Sequence, residues 1–368
     1  AWLSHYHQRH PGTKSMCLIS GRTESIARLH PKIKGVFGTQ PSGGSIVCFQ
    51  PESFRFFTKK QGINAPIGEQ SAFEYSTALN HLLRPNSRQK IRINDTTIVF
   101  WAERDTPVEG FMGLVFDLGN RSGESLELQN FLRATRDGKY YPAIDLQNMT
   151  FYILGLAPNA GRISVRFWHM STVDAIAVKL GQHFRDLSLV RNQEYDPEFP
   201  GMARLLTAVA PAGKAEKIPP LLIGTMARSI LNGNPYPRML LSLIILRFRA
   251  DRKALPSMDY LRTAMVKAYL NRQYRTTNQN KEIEMALERD NTNTGYRLGR
   301  LFAVLEKTQR DALGKTSSTI RDRFFGSAMG TPCVAFPQLL RLSQHHLSKS
   351  NYGLVSDRMI EEIVLDLN

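Results

Sequence analysis

The pattern of apolar and polar positions indicates strands and isolated helices in the first part of the chain. The runs TTIVFWA (96–102) and TFYILGL (150–156) are rich in β-branched and aromatic residues and have the length of strands. Residues 68–83 instead carry apolar side chains at helical spacing. The side of this helix that is predicted to be buried comprises Phe73, Ala78, Leu79 and Leu82. The predicted fold class is therefore α+β.

Apolar and basic residues alternate along RISVRFW (162–168), which predicts a strand with two different faces. The face predicted to enter the core carries Ile163, Val165 and Phe167, and the other carries Arg162 and Arg166. At about 3.3 Å per residue the two arginine Cα atoms lie roughly 13 Å apart, which suits contact with nearby phosphates. Structural salt bridges explain the pair equally well.

Beyond about residue 215 the pattern is almost entirely helical. Two apolar stripes follow the i, i+3, i+4, i+7 rule and predict amphipathic helices that pack together. They are Met258, Leu261, Met265 and Tyr269, and Leu298, Leu301, Phe302 and Leu305. The apolar run MLLSLIIL (239–246) is too short to cross a bilayer and predicts a buried helix.

The segment PAGKAEKIPP (211–220), rich in proline, lysine and alanine, is typical of a linker or a domain edge. The predicted organisation is accordingly an α+β region over 1–215 and a helix bundle over 216–368.

Charge adds a class of partner to this picture. The formal net charge is +16 and the isoelectric point is near 9.9, which favours a nucleic-acid partner. A basic isoelectric point is also common in proteins that bind other acidic surfaces. Cys17, Cys48 and Cys333 lie too far apart for a C-x-x-C metal motif, and their small number fits a reducing cytoplasm. We expect no cofactor and no membrane partner.

Glycines and cations concentrate around GTQPSGGSIV (38–47), the glycine-rich loop. Glycine allows backbone N–H groups to approach a ligand, and neighbouring cations suggest that this ligand is an anion. A solvent-exposed turn is the simpler alternative. The candidate binding residues here are Arg28, Lys32, Lys34, Gln40, Ser42, Gly43, Gly44 and Ser45.

A second cationic surface is predicted on the helix from about 294 to 313. Arg297, Arg300 and Lys307 fall within about 80° of one another, roughly opposite the leucine stripe. They form either a binding face or an ordinary solvated face.

Catalytic and metal-binding signals are weak. His5, His7 and His10 form a cluster near a chain end without a carboxylate, which is more typical of a polar terminus than of a metal site. His345 and His346 are adjacent, so on a helix they cannot easily share an ion. No hydrolase, zinc-protease or nucleotide-binding motif is present. We therefore expect no enzyme, with a metal-dependent nuclease as the alternative.

Eight blocks of the chain form a recognisable series in order and spacing. The blocks are CLISG (17–21), IARLHPKIKGV (26–36), GTQPSGGSIVCF (38–49), QGINAPIGEQSAFEYSTALNHLL (61–83), TTIVFWA (96–102), LGLAPNAGRISVRFW (154–168), NGNPYP (232–237) and AYLNR (268–272). In this order they resemble the large subunit of the type I-C CRISPR surveillance complex, Cascade. In that family the first block lies well inside the protein, so this sequence is expected to lack the family's N-terminal region.

The resemblance implies a non-catalytic DNA-binding subunit of a prokaryotic cytoplasmic complex. Its implied partners are target double-stranded DNA and the displaced strand, the CRISPR guide RNA, the other backbone and small subunits of Cascade, and a helicase-nuclease. The glycine-rich loop is then expected to recognise the protospacer-adjacent motif. The basic helix bundle is expected to hold the displaced strand, with Tyr269, Tyr274 or Tyr296 available for stacking. A structural scaffold that binds guide RNA or acidic subunits remains an alternative.

The resemblance also implies that the C-terminal helices are similar to a Cascade small subunit made from an internal start. Met226, Met239 and Met258 are the candidate starts. The first two are favoured because a start at Met258 would discard the apolar helix at 239–246.

Overall fold

The fold is α+β, as predicted. The computed structural model describes residues 12–49, 52–104, 108–117, 126–139, 149–192, 194–251, 256–279, 281–314 and 318–367. The chain divides into two compact units and passes between them more than once. Unit 1 comprises Ala1–Leu187 and Phe199–Pro237, and unit 2 comprises Ser188–Glu198 and Arg238–Asn368.

Unit 1 combines antiparallel strands with helices. Its elements are β1 (Lys14–Met16), β2 (Thr23–Ser25), α1 (Glu69–Leu82), β3 (Lys90–Ile93), β4 (Thr96–Ala102), α2 (Val108–Asp117), α3 (Leu126–Arg136), β5 (Thr150–Asn159), β6 (Arg162–Thr172), α4 (Val173–Leu187), α5 (Met202–Val209) and α6 (Pro220–Asn232). The strands β1 and β2 pair with each other, and the larger sheet has the order β3-β4-β5-β6. The predicted strand at 96–102 coincides with β4, and the one at 150–156 lies within β5.

Both faces of the four-stranded sheet are packed. On one face the Phe100 and Phe151 rings lie 6.4 Å apart, and Phe151 borders a small cavity formed with Met112 and Val173. On the other face, side chains of α1 and of the segment around Ile33 cover Leu154. This second cluster comprises Ile33, Val36, Leu79, Leu83, Val99, Leu154, Leu156 and Ile163. Burial on both faces explains why β4 and β5 are almost continuously apolar.

A β-bulge interrupts the predicted alternation in β6. Leu156 pairs with Val165 and Gly155 pairs with Phe167, so Arg166 has no partner residue of its own. An extra residue of this kind changes the face to which the following side chains point. Phe167 is buried, as predicted, but Val165 is 50% exposed, so its predicted core position is wrong.

The buried side of α1 also differs from the predicted one. Leu79 is buried, but Phe73 is 59% exposed and Ala78 is exposed. The residues of α1 that face the unit are Ser71, Ala72, Ser76 and Leu79. Small side chains permit close approach of the helix, a feature that apolar periodicity does not register.

The segment 211–220 does not separate the two units. It forms two short 3-10 turns inside unit 1, and the Ile218 carbonyl accepts a hydrogen bond from Asn94 Nδ2 at 2.8 Å. The helix α6, which follows, packs against β6 and α4. The last passage of the chain from unit 1 to unit 2 therefore follows Pro237, whereas the predicted boundary is at residue 215.

Unit 2 is helical in the part that the structure describes. Its helices are α7 (Arg238–Ala250), α8 (Pro256–Thr276), α9 (Thr294–Leu313), α10 (Ile320–Gly330), α11 (Pro332–Leu347) and α12 (Gly353–Leu365). Leu301, Phe302 and Leu305 enter the core of this bundle, as predicted, together with Phe336 and Ile363.

The second predicted stripe is also part of the bundle interior. Leu261, Met265 and Tyr269 of α8 are buried. The predicted helix at 239–246 is present as α7, but only Leu240 and Ile244 are fully buried along it, and Leu246 is 51% exposed.

The short segment 188–198 belongs to unit 2, although α5 and α6 of unit 1 follow it in the chain. The Val190 N–H donates to the Met285 carbonyl at 3.2 Å, and Arg191 pairs with Glu198 at 3.1 Å. Burial and the nearby Asp196 carboxylate raise the pKa of Tyr260 on α8.

No helix among the described residues is long and apolar enough to cross a membrane.

Candidate nucleic-acid interface

A cavity of about 700 Å³ opens on unit 1 where four chain segments meet. Its walls come from residues 28–32, the segment 40–49 that includes part of the glycine-rich loop, residues 61–62 and the turn 160–162 between β5 and β6. This volume is typical of a cavity that holds a ligand.

Three cations from separate positions line this cavity, which we call the basic cavity. They are Arg28, Lys32 and Arg162. None of the described residues that line it is a carboxylate. Like charges brought together without a counterion raise the local potential and attract an anion. The sequence predicts each of these residues individually, and the fold brings them together.

The arginines of the basic cavity are held in place by neutral groups. Arg28 Nη1 donates to Gln61 Oε1 at 2.7 Å, and the Arg162 guanidinium lies over the Phe54 ring at 4.9 Å. Neither contact neutralises the charge, so both arginines stay available for an anion. Lys32 is exposed.

Backbone pairing positions the glycine-rich loop against the edge of the sheet. The Gly44 N–H donates to the Ile33 carbonyl at 2.9 Å, and the Ile33 N–H donates back at 2.8 Å. Further along, the Ile163 N–H of β6 donates to the Ser45 carbonyl at 2.9 Å. This pairing holds Gln40 and Ser45 at the cavity wall.

Gly43 and Gly44 are packed inside unit 1, where there is no room for a side chain. Both are buried, and their N–H groups donate to the carbonyls of Gln40 and Ile33. Gly43 has φ +92°, and a Cβ there would lie 2.6 Å from the Ile33 carbonyl oxygen. A Cβ on Gly44 would lie 2.8 Å from Ile163 Cγ1. The expectation that these glycines leave open N–H groups for a ligand is therefore wrong.

Two further predicted residues lie outside the cavity wall. Lys34 is exposed, and its backbone N–H donates to Asn80 Oδ1 at 2.7 Å. Ser42 is exposed at the tip of the glycine-rich loop.

The two predicted arginines of β6 have different surroundings. Arg162 lines the basic cavity, whereas Arg166 Nη2 pairs with Asp95 Oδ2 at 3.0 Å. The Arg166 side chain is also only 25% exposed. Of the two interpretations left open by the sequence, the structural salt bridge therefore describes Arg166.

On α9 the predicted basic face is largely engaged within unit 2. Arg297 Nε donates to the Asn291 carbonyl at 2.9 Å, and its Nη1 donates to the Asp366 carbonyl. The Arg300 side chain is 8% exposed and donates to the Arg289 carbonyl at 2.6 Å. Lys307 is exposed and pairs with Asp311 at 2.6 Å. Of the three cations, Lys307 is exposed, Arg297 is half-buried and the Arg300 side chain is buried.

Of the tyrosines expected to stack on a strand, Tyr269 is buried, and Tyr274 and Tyr296 are half-buried. Tyr269 is 8% exposed, so stacking on a nucleic acid is excluded for it in this fold. The Tyr296 hydroxyl accepts from the Glu288 N–H at 2.9 Å, and Lys281 Nζ lies 5.6 Å from the centre of the Tyr274 ring.

His30 is absent from the predicted binding residues, yet it lines the basic cavity. Its Nδ1 lies 2.7 Å from the Tyr75 hydroxyl. Burial lowers the pKa of His30 and raises the pKa of Tyr75 to about 12, so the pair is neutral at neutral pH. The positive charge of the cavity thus comes from Arg28, Lys32 and Arg162.

Among the described residues, no group of three or more His, Cys, Asp or Glu side chains is close enough to hold a metal ion. His5, His7 and His10 lie outside the described residues. Burial and the adjacent His345 lower the pKa of His346. Cys17, Cys48 and Cys333 form no disulfide.

Comparison with protein families decides what kind of protein carries this cavity. Residues 1–368 match the family of the CRISPR-associated protein (Cas_Csd1). The chain belongs to this family of type I-C Cascade large subunits. Cascade large subunits act together with other CRISPR-associated subunits and guide RNA. No curated protein matches the chain.

Proposed function

We propose that this Cascade large subunit uses the basic cavity to hold the phosphate backbone of target duplex DNA beside the protospacer-adjacent motif. The observation that carries the proposal is the convergence of Arg28, Lys32 and Arg162 at one cavity without a described carboxylate in its wall. Phosphate contacts of this kind fix the register of a protein on a duplex.

The neutral polar groups of the cavity complement the cations. Gln40, Ser45 and Gln61 also line it, and amides and hydroxyls both donate to phosphates and recognise base edges. Cations therefore supply affinity, and these side chains supply recognition of the motif. The remaining target sequence is read by base pairing with the guide RNA.

The subunit's other roles follow from its place in a Cascade. We propose that it holds the displaced strand, presents the opened target to a helicase-nuclease and performs no catalysis itself, in the cytoplasm of a prokaryotic cell. The net charge of +16 supports contact with more than one stretch of nucleic acid.

The test is to neutralise the cavity in the assembled complex. Lys32→Gln and Arg162→Gln, alone and together, are expected to weaken binding to motif-containing duplex roughly tenfold for each phosphate interaction removed. Each removal should also make the slope of log affinity against log salt shallower by about 0.9. Lys34→Gln is the matched control because Lys34 is an exposed lysine nearby that does not line the cavity.

Three results would contradict the proposal. The first is an unchanged salt slope in the double variant, and the second is an equal change in the Lys34→Gln control. The third is crosslinking of the cavity to guide RNA alone, which would favour a scaffold. Cleavage of target DNA in magnesium without the helicase-nuclease would instead favour a metal-dependent nuclease.

A further inference from the structure

Two exposed aromatic rings stand beside the basic cavity. Phe56 is 64% exposed and Phe57 is 78% exposed, and their ring centroids lie 4.3 Å apart in an edge-to-face arrangement. Exposure of two adjacent aromatic side chains forfeits the free energy of their burial. Such a pair indicates a surface that something else covers.

Asn64 holds these rings in a fixed turn. Its Oδ1 accepts from the Phe56 N–H at 2.8 Å. Its Nδ2 lies 3.2 Å from the Lys59 carbonyl and 2.8 Å from the Gln61 carbonyl and donates to them. The Lys59 N–H closes the turn on the Phe56 carbonyl at 3.0 Å. The rings are therefore presented by a fastened turn.

The backbone of the turn is strained at its exposed end. Phe57 has φ +45° and Thr58 has φ +56°. Aromatic and β-branched residues rarely adopt this left-handed region, and such strain persists where the surroundings impose it. Strain and exposure together oppose this conformation, so the turn is unlike an ordinary surface loop.

Positive charge surrounds the rings and continues into the basic cavity. Arg55, Lys59 and Lys60 are exposed on the same segment. Glu52 is the one carboxylate of residues 52–60, and it pairs with Arg55 at 3.1 Å. The segment meets the cavity at Phe54, whose ring lies under the Arg162 guanidinium. Aromatic rings among an excess of cations fit nucleobases flanked by phosphates.

We propose that Phe56 and Phe57 stack on unpaired nucleobases of the target DNA where the duplex opens next to the basic cavity. The proposal rests on the proposed function, because it places the DNA at that cavity. Stacking uses the faces of the rings and is independent of base identity, so it favours the open form of any target.

The test combines a protein variant with base removal in the DNA. Target duplexes carry a single abasic site at each position next to the motif in turn, and binding is measured with the assembled complex. Phe56→Ala with Phe57→Ala is expected to weaken binding to the intact target by roughly tenfold. At one or two positions an abasic site should weaken binding of the unaltered protein by a similar factor and leave the variant unaffected.

Matched variants separate stacking from simple bulk and from folding. Phe56→Tyr with Phe57→Tyr should retain binding, and Phe56→Leu with Phe57→Leu should behave like the alanine variant. Phe73→Ala is the control because Phe73 is an exposed phenylalanine of α1. All variants should keep the unaltered unfolding midpoint, since the rings bury little surface.

Two results would overturn the inference. One is a scan in which no abasic position couples to the alanine variant. The other is loss of a protein subunit from the variant complex in native mass spectrometry, which would make the rings a protein docking surface. The two proposals fail separately, because the alanine variant removes no charge and leaves the salt slope unchanged. A change of slope therefore reports on the cavity alone.

Discussion

At the scale of single residues, Gly43 shows how a position with a functional appearance serves the fold. Its φ is +92°, which residues with side chains rarely adopt, and an added Cβ would lie only 2.6 Å from the Ile33 carbonyl oxygen. We expect Gly43→Ala to lower the free energy of unfolding of unit 1 by about 1–3 kcal/mol. Tryptophan fluorescence during denaturation measures this, because Trp101 and Trp168 both belong to unit 1.

Gly21 provides the comparison for this prediction. It also has a positive φ, +69°, but nothing lies within 4 Å of the position of its Cβ. Gly21→Ala should therefore cost only the backbone strain, and a destabilisation equal to that of Gly43→Ala would show that the clash with Ile33 is unimportant.

Single residues also mark what sequence alone can and cannot predict about the site. Arg28, Lys32 and Arg162 are predictable as candidate phosphate-binding cations, since charge is visible in the sequence. The pairing of Arg166 with Asp95 is not predictable, because it depends on which strands pair and on a bulge. The roles of Phe56 and Phe57 depend on exposure, which only the folded chain defines.

At the scale of elements, runs of β-branched residues predict where the strands lie, but the sequence predicts less well which face of a helix is buried. The run at 96–102 matches β4 because a strand buried on both faces needs apolar residues throughout. The predicted buried face of α1 is correct for Leu79 and Leu82 but wrong for Phe73. The other buried residues of this helix are small, and apolar periodicity does not register them. Which face of a helix is buried depends on the element that packs against it, and only the tertiary structure shows which element that is.

The helix α9 carries a prediction of its own. The Arg300 side chain is 8% exposed and donates to the Arg289 carbonyl, so we expect Arg300→Gln to destabilise unit 2 by about 1–3 kcal/mol. Lys307→Gln removes the same charge from an exposed side chain and should change stability by less than about 0.5 kcal/mol. Far-UV circular dichroism during denaturation measures both variants.

A measurement of DNA binding by the Arg300→Gln variant could contradict this prediction. If Arg300→Gln left stability unchanged and made the salt dependence of DNA binding shallower, the arginine would bind a phosphate and would not be structural.

At the scale of the whole molecule, the division into units bears on a separately made C-terminal product. A start at Met226 would carry the second half of α6, whose Met226 and Ile230 are buried in unit 1. A start at Met239 begins one residue after the first residue of unit 2's main part. Among the candidate starts, the structure therefore favours Met239.

We expect the fragment 239–368 to fold as a helical unit of reduced stability. It lacks the segment 188–198, whose Val190 N–H bonds to the Met285 carbonyl. Adding a peptide of residues 188–198 should raise the unfolding midpoint of the fragment, and a peptide of the same composition in scrambled order should not. An equal midpoint with and without the peptide would contradict the expectation, as would an unfolded fragment in its presence.

Because of the segment 188–198, translation from an internal start cannot produce the whole of unit 2. A start codon selects a suffix of the chain, and unit 2 is not a suffix, because one of its pieces precedes α5 and α6. A product that starts at Met239 would contain the helices of unit 2 but would lack the segment 188–198, including Asp196, which lies near Tyr260. The bundle of the full chain and such a product would share the helices α7 to α12 and differ in the segment 188–198. A neighbouring subunit that contacts this segment could therefore distinguish the full chain from the shorter product.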